Sequence, residues 1–171
     1  MQANTKYLYT DLVADLMDTT NSFGSMLIFG VTASDNADTN ARIDGNARIW
    51  SLAAGGGTAS QNFPSMSLQI PNGQQGAFGL RSDEFYRTNW GIFNYDSVSR
   101  TFDIIVDGLR GSAIITETIP ACSLIQRLVG GGPYGGIELV FVPRDGGGLF
   151  YAYGSSVDNT SLDAWSVPAR K

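Results

Sequence analysis

Histidine is absent from this 171-residue chain, and cysteine occurs once, at Cys122. The first absence removes Ser/His/Asp and Cys/His catalysis, histidine-ligated zinc and the commonest general base together. The second rules out an intramolecular disulfide. Beside Pro120 and Leu124, Cys122 reads as a buried small hydrophobe. Lysine is confined to Lys6 and Lys171, glutamate occurs three times, and the nine arginines are scattered singly. With a net charge of −5, no basic patch exists to grip a phosphate backbone, so nucleic acid is excluded as a partner. No apolar run approaches the roughly 20 residues that cross a bilayer as a helix. Residues Met1 to Tyr7 show no charged segment leading into an apolar one, so no signal peptide is visible; it is expected to have been removed or excluded.

What is abundant points to β structure. Hydrophobic residues make up 43% of the chain, enough for a sizeable core, and 21 glycines cluster as turn punctuation. Helix-favouring charged residues are scarce, whereas Ser, Thr, Asn and aromatics are plentiful.

In chain order, residues 6–10 read as a short strand. Leu12, Val13 and Leu16 then suggest a helical turn with Asp11 as N-cap. Residues 24–33 read as a central strand, apolar on both faces. Strands follow at 47–53 and 65–71, with 54–64 as loop. Gln74 to Leu80 is ambiguous. Beyond it, alternation predicts strands at 87–94, with Trp90, Ile92 and Asn94 on one face, at 100–106, with Phe102, Ile104 and Val106 together, and at 112–119. Asp107-Gly108 is a hairpin signal. Leu124, Ile125 and Leu128 repeat the helical-turn spacing. Residues 136–142 and 149–157 form another strand pair, and 163–168 a last edge strand. The expected fold is all-β: an antiparallel sandwich, Ig-like or jelly roll, of about nine or ten short strands with one or two single helical turns.

Leu12, Val13, Leu16 and Phe29 align with Leu124, Ile125, Leu128 and Phe141, which suggests one supersecondary unit used twice. On that reading residues 1–80 form an incomplete β unit packed on or merged with a second unit at 85–171, or the whole chain is one merged domain. A sandwich lacking strands leaves an open sheet edge. The expected partners are therefore other copies or neighbouring domains added there by strand pairing.

Two motifs add to this: Tyr86-Arg-Thr-Asn-Trp-Gly-Ile-Phe-Asn94, and Ala152-Tyr-Gly-Ser-Ser-Val-Asp-Asn159, with Ile119-Pro120 and Leu124 between. Together they resemble a poorly characterised Ig-like β-sandwich module of secreted and cell-surface multidomain bacterial proteins. The resemblance is best over residues 85–168; the chain departs from it at Gly154 and Cys122. It implies an extracellular or cell-surface location and a structural or binding role, in a surface assembly such as a filament or coat or in a larger secreted protein. It implies no catalytic residues.

Chemistry-bearing clusters are few. Most acids lie in turns, where Asp serves the local backbone, so no catalytic carboxylate pair stands out and no enzyme is expected. Gly55-Gly-Gly and Gly130-Gly-Gly lack the lysine and following helix of a phosphate loop. Asp35, Asp38, Asn40 and Asp44 are the calcium candidates, being closely spaced oxygen ligands, although the EF-hand pattern fails there; a solvated turn is the competing reading. Tyr86, Trp90, Tyr151 and Tyr153 are the candidates for an aromatic platform that would stack a glycan, the alternative function being a lectin-like module. Core packing competes for the same rings. Arg87 and Asn89 are expected to hold a hairpin or corner through side-chain-to-backbone hydrogen bonds.

Overall fold

The computed structural model describes residues 5–19, 26, 28–38, 40–43, 45–52, 58–64, 73–130 and 132–171. They form one short helix, α1 (Leu12–Met17), and ten strands: β1 (Asn46–Leu52), β2 (Thr58–Pro64), β3 (Gln75–Ser82), β4 (Tyr86–Asn94), β5 (Arg100–Gly108), β6 (Gly111–Ile119), β7 (Ser123–Leu128), β8 (Gly135–Pro143), β9 (Phe150–Asp158) and β10 (Ala164–Pro168). The fold is an antiparallel β-sandwich. One sheet has the order β10-β9-β4-β7 and the other β3-β8-β5-β6, while β1 and β2 form a separate hairpin.

Strict alternation builds the core. Phe102, Ile104 and Val106 of β5, with Phe141 and Leu139 beside them on β8, share one core with Trp90 and Ile92 of β4 and Phe150 and Ala152 of β9. Trp90, Ile92, Phe102, Ile104 and Phe141 are wholly buried. A bulge at Phe78-Gly79 lets β3 turn both Ala77 and Leu80 inward, three positions apart. Gly154 faces the opposite sheet without room for a side chain: a Cβ there would stand 2.2 Å from Leu80 Cδ1.

The β1–β2 hairpin covers the outer face of the first sheet. Phe63 of β2 meets the Tyr153 ring edge-on at 5.3 Å. Gln61 donates to the Ser155 hydroxyl, and Ser166 of β10 donates to the Asn62 carbonyl. The molecule is thus locally three layers deep.

Several expectations need correction. Residues 123–128 form a strand, not a helical turn, because β4 offers them a row of unpaired backbone groups. Residues 58–64, read as loop, are β2. Residues 6–9 are not a strand, and 28–33 contribute only an isolated bridge, Val31 to Ala37. Their apolar side chains Ile28, Phe29 and Val31 are exposed, so no sheet covers them. The repeat therefore has no structural counterpart: Leu12–Met17 is helical where Ser123–Leu128 is extended, and Phe29 is exposed where Phe141 is buried. The strands β8 and β9 do not pair; the chain between them crosses from one sheet to the other. Cys122 is exposed, because it takes the left-handed conformation (φ 51°) in the turn between β6 and β7. The predicted cap of α1 is present, with Asp11 Oδ1 accepting from Ala14 N at 3.0 Å. The strand predicted at 65–71 lies outside the described residues.

Candidate interaction surface

The two motifs of the second half meet in the structure. Arg87, Thr88 and Asn89 pair with Val157, Ser156 and Ser155 across β4 and β9. The Arg87 guanidinium donates to Asn159 Oδ1 at 2.9 Å. Thr88 and Ser156, both buried, face inward with hydroxyls 2.7 Å apart. There they serve the opposite sheet: Arg81 N donates to Ser156 Oγ at 2.9 Å, and the Thr88 hydroxyl donates to the Arg81 carbonyl. The structural work of the Arg-Thr-Asn motif thus falls on Arg87, which bonds a side chain and not the backbone, and on Thr88; the Asn89 side chain makes no hydrogen bond among the described residues.

Arg81 belongs to the free edge of β3, and outward backbone groups at Gly76 and Gly79 are occupied too. Gly76 exchanges two backbone hydrogen bonds with Arg170, at 2.7 and 2.9 Å. The Trp165 indole donates to the Gly79 carbonyl at 3.2 Å. Beside it, β10 is short and ends in Pro168, which carries no N–H. By hydrogen-bond parity only Ala164 and Ser166 of β10 keep a backbone N–H directed away from β9 without a backbone partner among the described residues, so this side is sealed along β3 and short and blunted along β10.

The other side is open. Hydrogen-bond parity identifies its free groups. Arg144 N donates to the Thr101 carbonyl at 2.9 Å, so Thr101, Asp103 and Ile105 bond toward β8. Phe102, Ile104 and Val106 then bond toward β6, where their partners are Glu117, Ile115 and Ala113. Ser112, Ile114, Thr116 and Thr118 are left with N–H and C=O pointing away from the sheet. The same reasoning applies to β7. Val129 N donates to the Thr88 carbonyl at 2.8 Å, so Leu124, Gln126 and Leu128 turn their backbone groups outward. Neither row of outward groups finds a backbone partner among the described residues.

Between these edges Ala113, Ile115 and Ile125 pack only partly against the core, and one ion pair crosses the gap, Arg127 to Glu117 at 3.2 Å. The end of the gap is fixed by Asn94. Its buried amide donates to the carbonyls of Val98, Ile119 and Pro120 at 2.8, 3.1 and 3.0 Å.

The outer face of β5 and β6 combines an apolar row with a polar network. Ile114, 68% exposed, lies beside Ile105, which lies beside Val140. Next to this row Asp103 accepts from Arg144 Nε and from the Thr116 hydroxyl at 2.7 Å. The Arg144 and Thr116 hydrogen bonds hold the Asp103 carboxyl below the usual carboxylate range. On the other flank Asp107 and Glu138 are cross-strand neighbours, and neither joins an ion pair among the described residues.

The four aromatic candidates do not form one platform. Trp90 is buried in the core and Tyr153 beneath Phe63, on the opposite face of the first sheet. Trp90 and Tyr153 are corrected to packing residues. The Tyr153 ring lies over Gly91, where any Cβ would strike it at 2.3 Å, and its hydroxyl donates to Gln126 Oε1 at 2.6 Å. Burial pushes its pKa up to about 12, and raises that of half-buried Tyr151 further. Tyr86 has a different setting. It stacks edge-on with Trp165 at 5.7 Å, and the Arg81 guanidinium lies 4.5 Å from its ring centre. Beside it Arg81, Asp83, Glu84, Phe85, Arg110 and Pro133 line a depression of about 340 Å³. Burial works to raise the Asp83 carboxyl, but hydrogen bonds from Arg81 and from the Phe85 and Tyr86 amides outweigh it and lower its pKa.

Of the calcium candidates, Asp38 Oδ1 accepts from Asn40 N at 2.9 Å, and Asp35 sits at φ 58° in the adjoining turn. Asp44 lies outside the described residues. Among the described residues no three metal-ligating side chains gather, and no helix is long and apolar enough to cross a membrane.

No protein-family model matches the chain, and no curated protein or solved structure matches it.

The sequence placed β6 correctly, but not at an edge. Strand order depends on contacts distant in sequence, so no local signal marks an unpaired strand. The one clue was composition: Ile114 and Thr116, on the outward face, are β-branched, with no lysine or proline to blunt the strand.

Proposed function

We propose that this is a non-catalytic structural or interaction protein that works through the open β6–β7 side of its sandwich. The observation that supports this most directly is the contrast between the two sides: every outward group named on β3 is capped, whereas two adjacent edges on the opposite side remain unpaired. Such an edge is a template for a strand from another chain or domain. The resemblance noted in the sequence adds an extracellular or cell-surface setting and a role in a filament, coat or larger secreted protein. The absence of histidine supports the non-catalytic part. Light scattering with negative-stain microscopy over rising concentration tests the reading. Discrete oligomers or filaments are expected; a monomer at every concentration overturns it.

A second reading rests on the Arg81–Tyr86–Trp165 cluster. A rigid aromatic pair beside a charged depression suits a glycan, with ring faces for stacking and Asp83 and Arg81 for hydroxyls. A glycan array with wild-type and Tyr86→Ala protein tests it. Binding lost in the variant supports this reading, and no binder for the wild type removes it.

A further inference from the structure

We infer that β6 pairs antiparallel with β6 of a second copy of this chain, about a two-fold axis at Ile114, joining the two four-stranded sheets edge to edge. This deepens the proposed function and rests on it.

Backbone parity limits the choice of register. Only Ser112, Ile114, Thr116 and Thr118 offer outward hydrogen-bonding groups, so only registers that place these residues opposite one another make bonds. One register also satisfies the side chains. With Ile114 opposite its own copy, the outer row Val140–Ile105–Ile114 continues unbroken into Ile114, Ile105 and Val140 of the partner. The most exposed apolar side chain of β6 is thereby covered. Thr116 then falls opposite the partner's Ser112. On the outer face the Arg144·Asp103·Thr116 network of one copy then faces the partner's Ser112, with Asp107 one strand and Glu138 two strands beyond it, so a guanidinium lies on the same face as two carboxylates that join no ion pair among the described residues. The one charge on the strand, Glu117, faces inward toward Arg127 and lies opposite the partner's Gly111, where no like charge meets it. An isologous pairing of this kind closes on itself. A single strand pair is small beside the roughly 1,200 Å² of a stable interface, so the dimer forms reversibly at high concentration.

The test uses the full chain carrying Cys122→Ser. In that background Ile114→Cys is oxidised and compared with Thr116→Cys and Leu128→Cys. Opposed Ile114 Cα atoms would stand about 5.5 Å apart, within disulfide reach. The expected result is a covalent dimer for Ile114→Cys alone, together with association weakened at least about tenfold by Ile114→Lys in sedimentation. If the wild type associates but cross-links through Leu128→Cys or Thr116→Cys, or ignores Ile114→Lys, this pairing is overturned while the proposed function stands. If the wild type stays monomeric, both fall.

Discussion

The β3–β10 side and the β6–β7 side of the sandwich use the same material, short antiparallel strands, and finish it differently. On the first, outward backbone groups meet a strand end, an indole and two buried hydroxyls, and a proline blunts what remains. On the second, seven residues along two strands present theirs to solvent, and the gap is spanned by one half-exposed ion pair and pinned at one end by Asn94. Sealing a sheet edge takes contributions from elements far apart in the chain: Arg170, Trp165, Ser156 and Thr88 all converge on β3. The open side has no such convergence, and its outward side chains suit another strand.

The largest test asks whether the open side has an anchor of its own. Asn94→Asp places a carboxylate among three carbonyl oxygens in a buried site. Denaturant unfolding is expected to show a loss of at least about 3 kcal/mol, because the charge keeps only the Asp96 amide as donor and no cation. A smaller loss would mean that the β6–β7 crossover is held mainly by packing.

Next comes the matched pair that defines the contrast. Thr88→Val leaves the Arg81 carbonyl only the longer hydrogen bond from the Ser156 hydroxyl at 3.3 Å and removes a partner of Ser156, with an expected loss of about 1–3 kcal/mol. Ile114→Thr, on the open edge, should stay within about 0.5 kcal/mol for the monomer at low concentration. Equal effects would erase the distinction between sealed and open sides.

A pH experiment sharpens it further. The folded pKa of Tyr153, about 12, lies above the unfolded value of about 10. The folded state therefore holds its proton longer. This contribution is complete below pH 10 and is lost as pH rises through 12. Alkaline titration of stability should show the decline, and Tyr153→Phe should reduce it, leaving the part that Tyr151 contributes. The smallest effect is expected at the open face. Asp103 is lowered by Arg144 and Thr116, so its contribution is present above about pH 4 and fades as pH falls through the folded pKa. Asp103→Asn should flatten that acid limb slightly, within the scatter of an exposed ion pair.

Much of the sandwich was legible from alternation. The strands β4, β5, β6, β8, β9 and β10 carry inward residues at every second position, and the burial of Phe102, Ile104 and Val106 follows directly. The misses share one physical cause. Ser123-Leu-Ile-Gln-Arg-Leu has an apolar spacing that suits a helical turn as well as a strand, and only the unpaired groups of β4 decide between them. Thr58-Ala-Ser-Gln-Asn-Phe-Pro is polar enough to read as loop; its place over Tyr153 and Ser155 becomes visible only when β9 is in position. Residues 28–33 mislead in the opposite sense, having strand composition without a sheet to join. Thr88 and Ser156 lay inside motifs already singled out, yet their task on Arg81 depends on a strand in the other sheet.

The Gly76–Arg170 contact has a mechanical meaning. The antiparallel bridge brings the beginning of β3 and the end of the chain after β10 together, pointing the same way. A pull on these two ends opens the bridge one bond at a time, as a zipper opens, and does not shear strands past one another. The first thing to yield under tension is this corner, while β4, β5, β8 and β9 stay out of the line of force.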